Sequence, residues 1–403
     1  MAAQKRAHML RVFQQPPEAG TPPPPPRPTE PPEATTPLPS PPHTPVQPEV
    51  APLSASPPRT PAPTEAVSQP QYSEVPSTST RAARGNITSA EIRSMWATYK
   101  VRDQLGTAEQ CIQFAEENGL VLRSTLCSTH RTPMPIYSKG NSDLGSFCCR
   151  MGQCRTKSSV RRAKGTWFEN AKLSLPHIFY LKYCYSRRFT QFNVQLEDYF
   201  GGPCLSSRTI TDWCSYRREA VVIYQIDKQE HVGKIGGPGK IVQIDESKFG
   251  KRKFNKGRIV EGHWVLGMIE DGSEYLRLEV CPENVRFAEV LIPLIQKHVI
   301  EGTIIRTDYW KAYDCLSSYG YEHQKVNHSD PENPFVAPDG THTQRIESQW
   351  RVVKSFFHKD NFNNPANFAD LVVEFLWRKS ILKNREHPFT KLIDAIKRTY
   401  KQK

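Results

Sequence analysis

Three carboxylates in this chain stand where side chains can be brought to one point. Asp245 closes the apolar run Ile241-Val-Gln-Ile, and Asp308 closes Thr303-Ile-Ile-Arg-Thr. Both runs are short and β-prone, the pattern of buried strands. Glu347 lies within His342-Thr-Gln-Arg-Ile-Glu-Ser-Gln-Trp-Arg351, which reads as a helix. Taken singly, each acid could merely end a strand or face solvent. Together, two strand-borne aspartates and one helix-borne glutamate form an oxygen ligand set for a pair of hard divalent cations. Such a pair clamps the attacking and leaving oxygens of an in-line phosphoryl displacement. The helix suits that role. Ile346, Trp350, Val353 and Phe357 recur as one apolar stripe for packing on a sheet. Gln344, Glu347, Arg351 and Lys354 border it, and Lys354, two turns along from Glu347, is placed to hold a phosphate.

A second constellation is Cys127-x2-His130 followed by Cys149-x4-Cys154. Thiolate and imidazole donors paired on two knuckles suit a structural tetrahedral Zn²⁺ site, with Cys148 as the alternative to Cys149. Ten cysteines behind an N-terminus with no apolar h-region argue for thiols or metal ligands in a reducing compartment rather than disulfides. From Arg150 to Lys164 there are six basic residues and no acid, so this module is expected to face phosphate.

The elements that must position these groups occupy most, not all, of the 403 residues. Residues 16–76 hold 23 of the 35 prolines and few large apolar side chains, so residues 1–85 are expected to be a disordered Pro-rich tail. That tail carries seven Lys/Arg against six Glu, which leaves about +12 of the formal +13 on the remainder. Such a surplus points to a polyanionic partner. No apolar run approaches the length of a membrane span, so no membrane is expected. Residues 86–165 read as N-terminal helices, opened by Thr88-Ser-Ala-Glu91 and Thr107-Ala-Glu-Gln110, and the zinc-ribbon-like module. Residues 166–232 read as three helices: an amphipathic one from Leu173, a short one over Gln191 to Phe200, and one opened by Ser206. A short helix, a Gly turn and a helix bearing Arg208, Thr211, Arg217 and Arg218 fit a helix-turn-helix that reads DNA, with Ile210, Trp213 and Tyr216 in its core.

Residues 233–385 form a linker and a domain with the order strand, basic loop, strand, strand, helix, strand, helix, strand, helix. One helix is expected over Pro282 to Val299, kinked or split at Pro293, and a short one over Trp310 to Ser318. This order predicts an α/β fold, a mixed sheet flanked by helices of ribonuclease H-like type, with the first and fourth strands adjacent. Lys248, Lys251, Arg252, Lys253, Lys256 and Arg258, placed in the loop after the first strand, are candidates to neutralise phosphates. Residues 386–403 read as a basic C-terminal tail.

Longer motifs add a family likeness. Asp245-Glu-Ser-Lys-Phe-Gly-Lys-Arg-Lys-Phe-Asn-Lys-Gly-Arg, Val260-Glu-Gly-His-Trp-Val, Thr307-Asp-Tyr-Trp-Lys-Ala-Tyr, Val326-Asn-His-Ser and His342-Thr-Gln-Arg-Ile-Glu-Ser-Gln-Trp resemble the Merlin family. These are eukaryotic cut-and-paste DNA transposases related to bacterial insertion-sequence enzymes. The likeness extends upstream through Phe147-Cys-Cys-Arg-Met-Gly-Gln-Cys-Arg and covers about residues 86–385. It implies a DDE triad at Asp245, Asp308 and Glu347, two Mg²⁺ or Mn²⁺ ions and an N-terminal zinc ribbon. It further implies action on double-stranded DNA, at transposon terminal inverted repeats and a target, by a homo-oligomer; with DNA as partner and a Pro-rich tail of eukaryotic kind, the nucleus is the expected compartment. Two positions depart from the family pattern: Gln344 stands where Asn is usual, and His130 where a second cysteine is usual. Two other readings of such a chain are a domesticated DNA-binding protein that keeps the fold without transposing and a host nuclease of the same fold that never performs strand transfer.

Overall fold

The computed structural model describes residues 88–138, 143–152, 154, 159–250, 262–357 and 365–400. The Pro-rich segment and the loop candidates Lys251, Arg252, Lys253, Lys256 and Arg258 lie outside these residues. The chain enters through helices α1 (Ser89–Ser94), α2 (Thr98–Leu105) and α3 (Ala108–Glu117). Both expected capping boxes form. Thr88 Oγ1 accepts from the Glu91 amide and Glu91 returns to the Thr88 amide, and Thr107 and Gln110 repeat the exchange. A small antiparallel sheet follows, β1 (Ile136–Tyr137), β2 (Ser146–Cys148) and β3 (Ser159–Arg161).

Helices α4 (Leu175–Ser186), α5 (Gln191–Leu196) and α6 (Ser207–Val232) come next. The amphipathic reading of α4 is corrected: eleven of its twelve residues are buried, His177 being the exception. A helix apolar on every side belongs inside a core. Its Pro176 sits in the first turn, where a missing N–H costs nothing. Helix α6 is capped by Ser206 and ends at Gly233 with φ of 75°.

The catalytic candidates lie on the second half. Strands β4 (Ile235–Gly236), β5 (Ile241–Phe249), β6 (His263–Glu270) and β7 (Leu276–Val280) precede helix α7 (Ala288–His298). Then come β8 (Val299–Ile300), β9 (Ile304–Asp308), β10 (Glu322–Val326) and helices α8 (Gln344–Phe357), α9 (Pro365–Asn384) and α10 (Pro388–Thr399). The main sheet runs β10-β9-β5-β6-β7. Strand β5 is antiparallel to β6 and parallel to β9, so the first and fourth long strands are neighbours, as a ribonuclease H-like sheet requires. Helix α7 covers one face through Leu291, Ile292 and Ile295, while α8 and α9 cover the other.

Local expectations needed two adjustments. The single helix over Pro282 to Val299 is divided, though not at Pro293, which lies inside α7. The break falls after a 3₁₀ turn at Pro282–Asn284, where Glu283 and Asn284 adopt positive φ of 53° and 60°. Trp310 to Ser318 forms two 3₁₀ turns, Lys311–Tyr313 and Leu316–Tyr319.

Residues 386–403 are not a tail over their described part. Phe389, Leu392, Ile393 and Ile396 make one apolar stripe on α10, buried in the helical core beside Trp96 and Phe114. Lys391, Lys397 and Arg398 beside that stripe conceal it from a reading based on charge.

Gly267 on β6 fixes the distance between sheet and site helix. A Cβ built there would stand 2.7 Å from two ring carbons of Trp350 and 2.9 Å from Ile346 Cδ1. Gly267 is also the cross-strand partner of Asp245. Gly267→Ala should therefore destabilise the fold by about 1–3 kcal/mol through overpacking and displace α8. A urea midpoint equal to that of the parent would show that α8 yields freely.

Candidate active site

Strands β5 and β9 place two carboxylates side by side. Their ladder pairs Ile241 with Ile304, Val242 with Ile305 and Gln243 with Arg306, and two residues further each strand bears an aspartate. Asp245 and Asp308 thus occupy equivalent positions just past the last pairing, where parting strands leave room. Glu347 arrives from the first turn of α8. The three meet in a hollow of about 280 Å³ lined by Asp245, Asp308, His328, Thr343 and Glu347.

What holds α8 at this point is a residue the sequence did not flag. Gln243, fully buried on β5, accepts from the Arg345 and Ile346 amides (3.0 and 3.3 Å) with its Oε1. It thereby caps the helix from the sheet, satisfying N–H groups the helix itself cannot. The Trp350 indole Nε1 donates to Asp245 Oδ2 at 2.7 Å, and the Glu246 amide donates to Oδ1 at 2.8 Å. Thr343, also buried, donates its hydroxyl to Glu347 Oε1 at 2.5 Å. His328 Nε2 lies 3.6 Å from that same oxygen. Gln344, the family departure, is exposed at the start of α8.

The electrostatics favour a cation here. Burial, helped by the charges of Asp308 and Glu347, lifts the Asp245 carboxyl to about 6 against the pull of Trp350 and the Glu246 amide. Glu246 rises to about 8 through burial and the same two aspartates, although Arg286 stands 3.4 Å away. Acids that raise one another are short of positive charge. Carboxylate oxygens with one imidazole nitrogen suit hard divalent cations, so the residues fit the Mg²⁺ or Mn²⁺ that the family likeness implies.

The four zinc candidates also converge. Ligand atoms of Cys127, His130, Cys149 and Cys154 all lie within 4.8 Å of one another. Cys127 Sγ is 3.5 Å from Cys154 Sγ, and His130 Nδ1 is 3.7 Å from Cys127 Sγ and 3.5 Å from Cys149 Sγ. Ligands of a tetrahedral zinc with Zn–S of about 2.3 Å and Zn–N of about 2.1 Å stand roughly 3.5–3.8 Å apart. The alternative, Cys148, instead donates to Ser159 Oγ. A backbone N–H from His130 helps draw the Cys127 thiol down to about 5. Of the six basic residues expected to face phosphate here, Arg162 turns inward and pairs with Glu116 at 2.5 Å.

Other DNA-contact candidates divide. Arg208 is exposed on α6 near Asp212, and Lys354 is exposed on α8. Lys248 is exposed but lies on β5 itself, 5.5 Å over the Trp264 ring, rather than in the following loop. Arg217 and Arg218 are corrected. Arg218 Nε binds Glu374 Oε2 of α9 at 2.8 Å, and Glu374 also holds Arg378. Arg217 is fully buried over Trp213, and its three side-chain nitrogens meet no partner of good hydrogen-bond geometry among the described residues, only the weakly accepting sulfur of Cys214 beside them. Burial lowers it to about 10. Ile210 and Trp213 are core as expected, whereas Tyr216 is half exposed. An unpaired buried cation is costly, so Arg217→Met should stabilise the fold by about 1–3 kcal/mol and leave DNA affinity unchanged. A loss of DNA affinity with no gain in stability would restore Arg217 as a contact.

No helix among the described residues is long and apolar enough to cross a membrane. No curated protein matches this chain. Among solved structures, one match is a chain in the cryo-EM structure of the simian T-cell lymphotropic virus intasome in complex with PP2A regulatory subunit B56 gamma. It is 14% identical with a TM-score of 0.21, covering 42% of this chain and 57% of that one. The segment that holds the main sheet, α7 and α8, residues 234–379, matches the family model of the ISXO2-like transposase domain, a DDE-type transposase family.

Proposed function

We propose that this chain is a DNA transposase of Merlin type that cleaves at transposon ends and joins the freed strand to target DNA. The observation that carries the reading is the meeting of Asp245, Asp308 and Glu347 in one hollow inside the segment that matches a transposase domain. Bound there, a pair of Mg²⁺ or Mn²⁺ ions would activate a water for attack on the phosphodiester and stabilise the leaving 3′ oxygen. Asp245 and Asp308 hold their carboxylates at fixed positions because β5 and β9 are paired neighbours. Trp350 and the Glu246 amide orient Asp245, and Thr343 orients Glu347. In a second round the freed 3′-OH would replace water as nucleophile at a target phosphodiester, the new P–O bond forming as the target strand's bond to its own 3′ oxygen breaks.

Lys248, beside Phe249 at the end of β5, and Lys354, whose Nζ lies 5.8 Å over the Phe249 ring, are exposed and serve as phosphate contacts, as does Arg208 on the helical layer. Zinc held by Cys127, His130, Cys149 and Cys154 would fix a module that helps select the inverted repeats. The nucleus and a homo-oligomeric complex follow from the same reading. Purified full-length protein, incubated with Mg²⁺ and labelled inverted-repeat ends beside scrambled duplex, tests it. Nicking at the repeat boundary and joined products are the expected result. Binding to ends without cleavage would favour a domesticated scaffold, and cleavage without joined products a nuclease.

A further inference from the structure

We infer that His328 is a fourth protein ligand of this centre, its Nε2 sharing one cation with Glu347. The inference rests on the metal-dependent reading above and concerns a residue to which neither the triad nor the family likeness gives a role. Strand β10 pairs Val326 with Asp308, so the chain two residues beyond reaches the hollow.

The tautomer follows from the partners. His328 Nδ1 lies 2.7 Å from the carbonyl oxygen of Pro334. A carbonyl only accepts, so Nδ1 carries the hydrogen, and in the neutral ring Nε2 presents a lone pair. That lone pair stands 3.5 Å from Thr343 Oγ1 and 3.6 Å from Glu347 Oε1. Thr343 has a single hydroxyl hydrogen, which its 2.5 Å bond to Glu347 takes up. Nε2 therefore faces two acceptors, an arrangement satisfied either by a ring proton or by a cation held between them, and the cluster of carboxylates favours the cation. An imidazole backed by a backbone carbonyl on its far nitrogen is how histidine ligands are commonly held to metals. Nitrogen and oxygen ligands of one cation stand roughly 3.0–3.5 Å apart, close to what the apo geometry already offers. An imidazole also favours Mn²⁺ over Mg²⁺, whose preferred ligands are all oxygen.

The test is pulsed EPR on zinc-loaded full-length protein titrated with Mn²⁺, with Mn²⁺ and Mg²⁺ affinities measured by calorimetry. The wild type should show ¹⁴N modulation from a directly bound imidazole. His328→Gln should lose it and bind Mn²⁺ about tenfold more weakly, with a smaller change for Mg²⁺. Circular dichroism checks that the variant stays folded. Mn²⁺ bound without ¹⁴N coupling, or coupling that survives His328→Gln, overturns the assignment and leaves the triad standing. Absence of Mn²⁺ binding by the wild type overturns both.

Discussion

Asp245→Asn and Asp308→Asn should each slow Mg²⁺-dependent strand cleavage on the order of 10³-fold or more, because each removes a charge that only the metals require. Asparagine keeps the shape of the side chain. At position 245 its one oxygen can accept the bond from Trp350 Nε1, while the bond from the Glu246 amide, which then meets the Asn nitrogen, is given up. The anchor between α8 and β5 is therefore retained. Burial and like charge raise the Asp245 carboxyl to about 6, so above that pH the ionised group costs the metal-free fold stability. The neutral amide should therefore leave the metal-free thermal midpoint unchanged or higher, and DNA affinity should not fall. Gel-based cleavage of labelled ends, run beside a binding titration, reads the two effects separately. Cleavage within a few-fold of wild type in either variant would remove that aspartate from the site.

The second large effect concerns zinc. Chelation, or Cys149→Ser, should unfold residues 127–154 while the sheet and the helical layer persist. The module has little else to hold it. Its buried apolar cluster is Cys127, Met134, Phe147 and Cys149, and its strands are two or three residues long. So small a core does not offset chain entropy, and the metal supplies the folding free energy instead. Hydrogen exchange should show protection lost from Met134 to Cys149 and kept on β5 and β6. Affinity for transposon ends should drop together with the zinc content. Folded, end-binding protein that elemental analysis finds free of zinc would end the claim.

Much of the site was legible in one dimension because its signals are local. Alternation marks strands, the stripe Ile346, Trp350, Val353 and Phe357 marks a helix face, and paired Cys and His ligands mark a knuckle. Capping boxes at Thr88 and Thr107 need only four residues each, so those helix starts were readable as well. The strand order gave Asp245 and Asp308 as neighbours, since few topologies connect such a series of elements.

What the sequence by itself determined, then, is which side chains can do chemistry and on which kind of element each one rides. Tertiary structure alone decided how they are aimed and which charges face water. Gln243 caps α8 from about a hundred residues away, and Trp350 reaches from its apolar stripe to orient Asp245. His328 acquires its tautomer from a carbonyl six residues on, and its place in the hollow from the pairing of β10 with β9. Arg217 and Arg218 look alike in sequence, yet one is sealed in the helical core and the other held by Glu374 of α9. Helix α10 joins the N-terminal helices at the far end of the chain. A basic or polar residue has the same local signature whether it meets water, a phosphate or a buried partner. The difference lies in desolvation, which depends on segments distant in sequence that only the folded chain brings together.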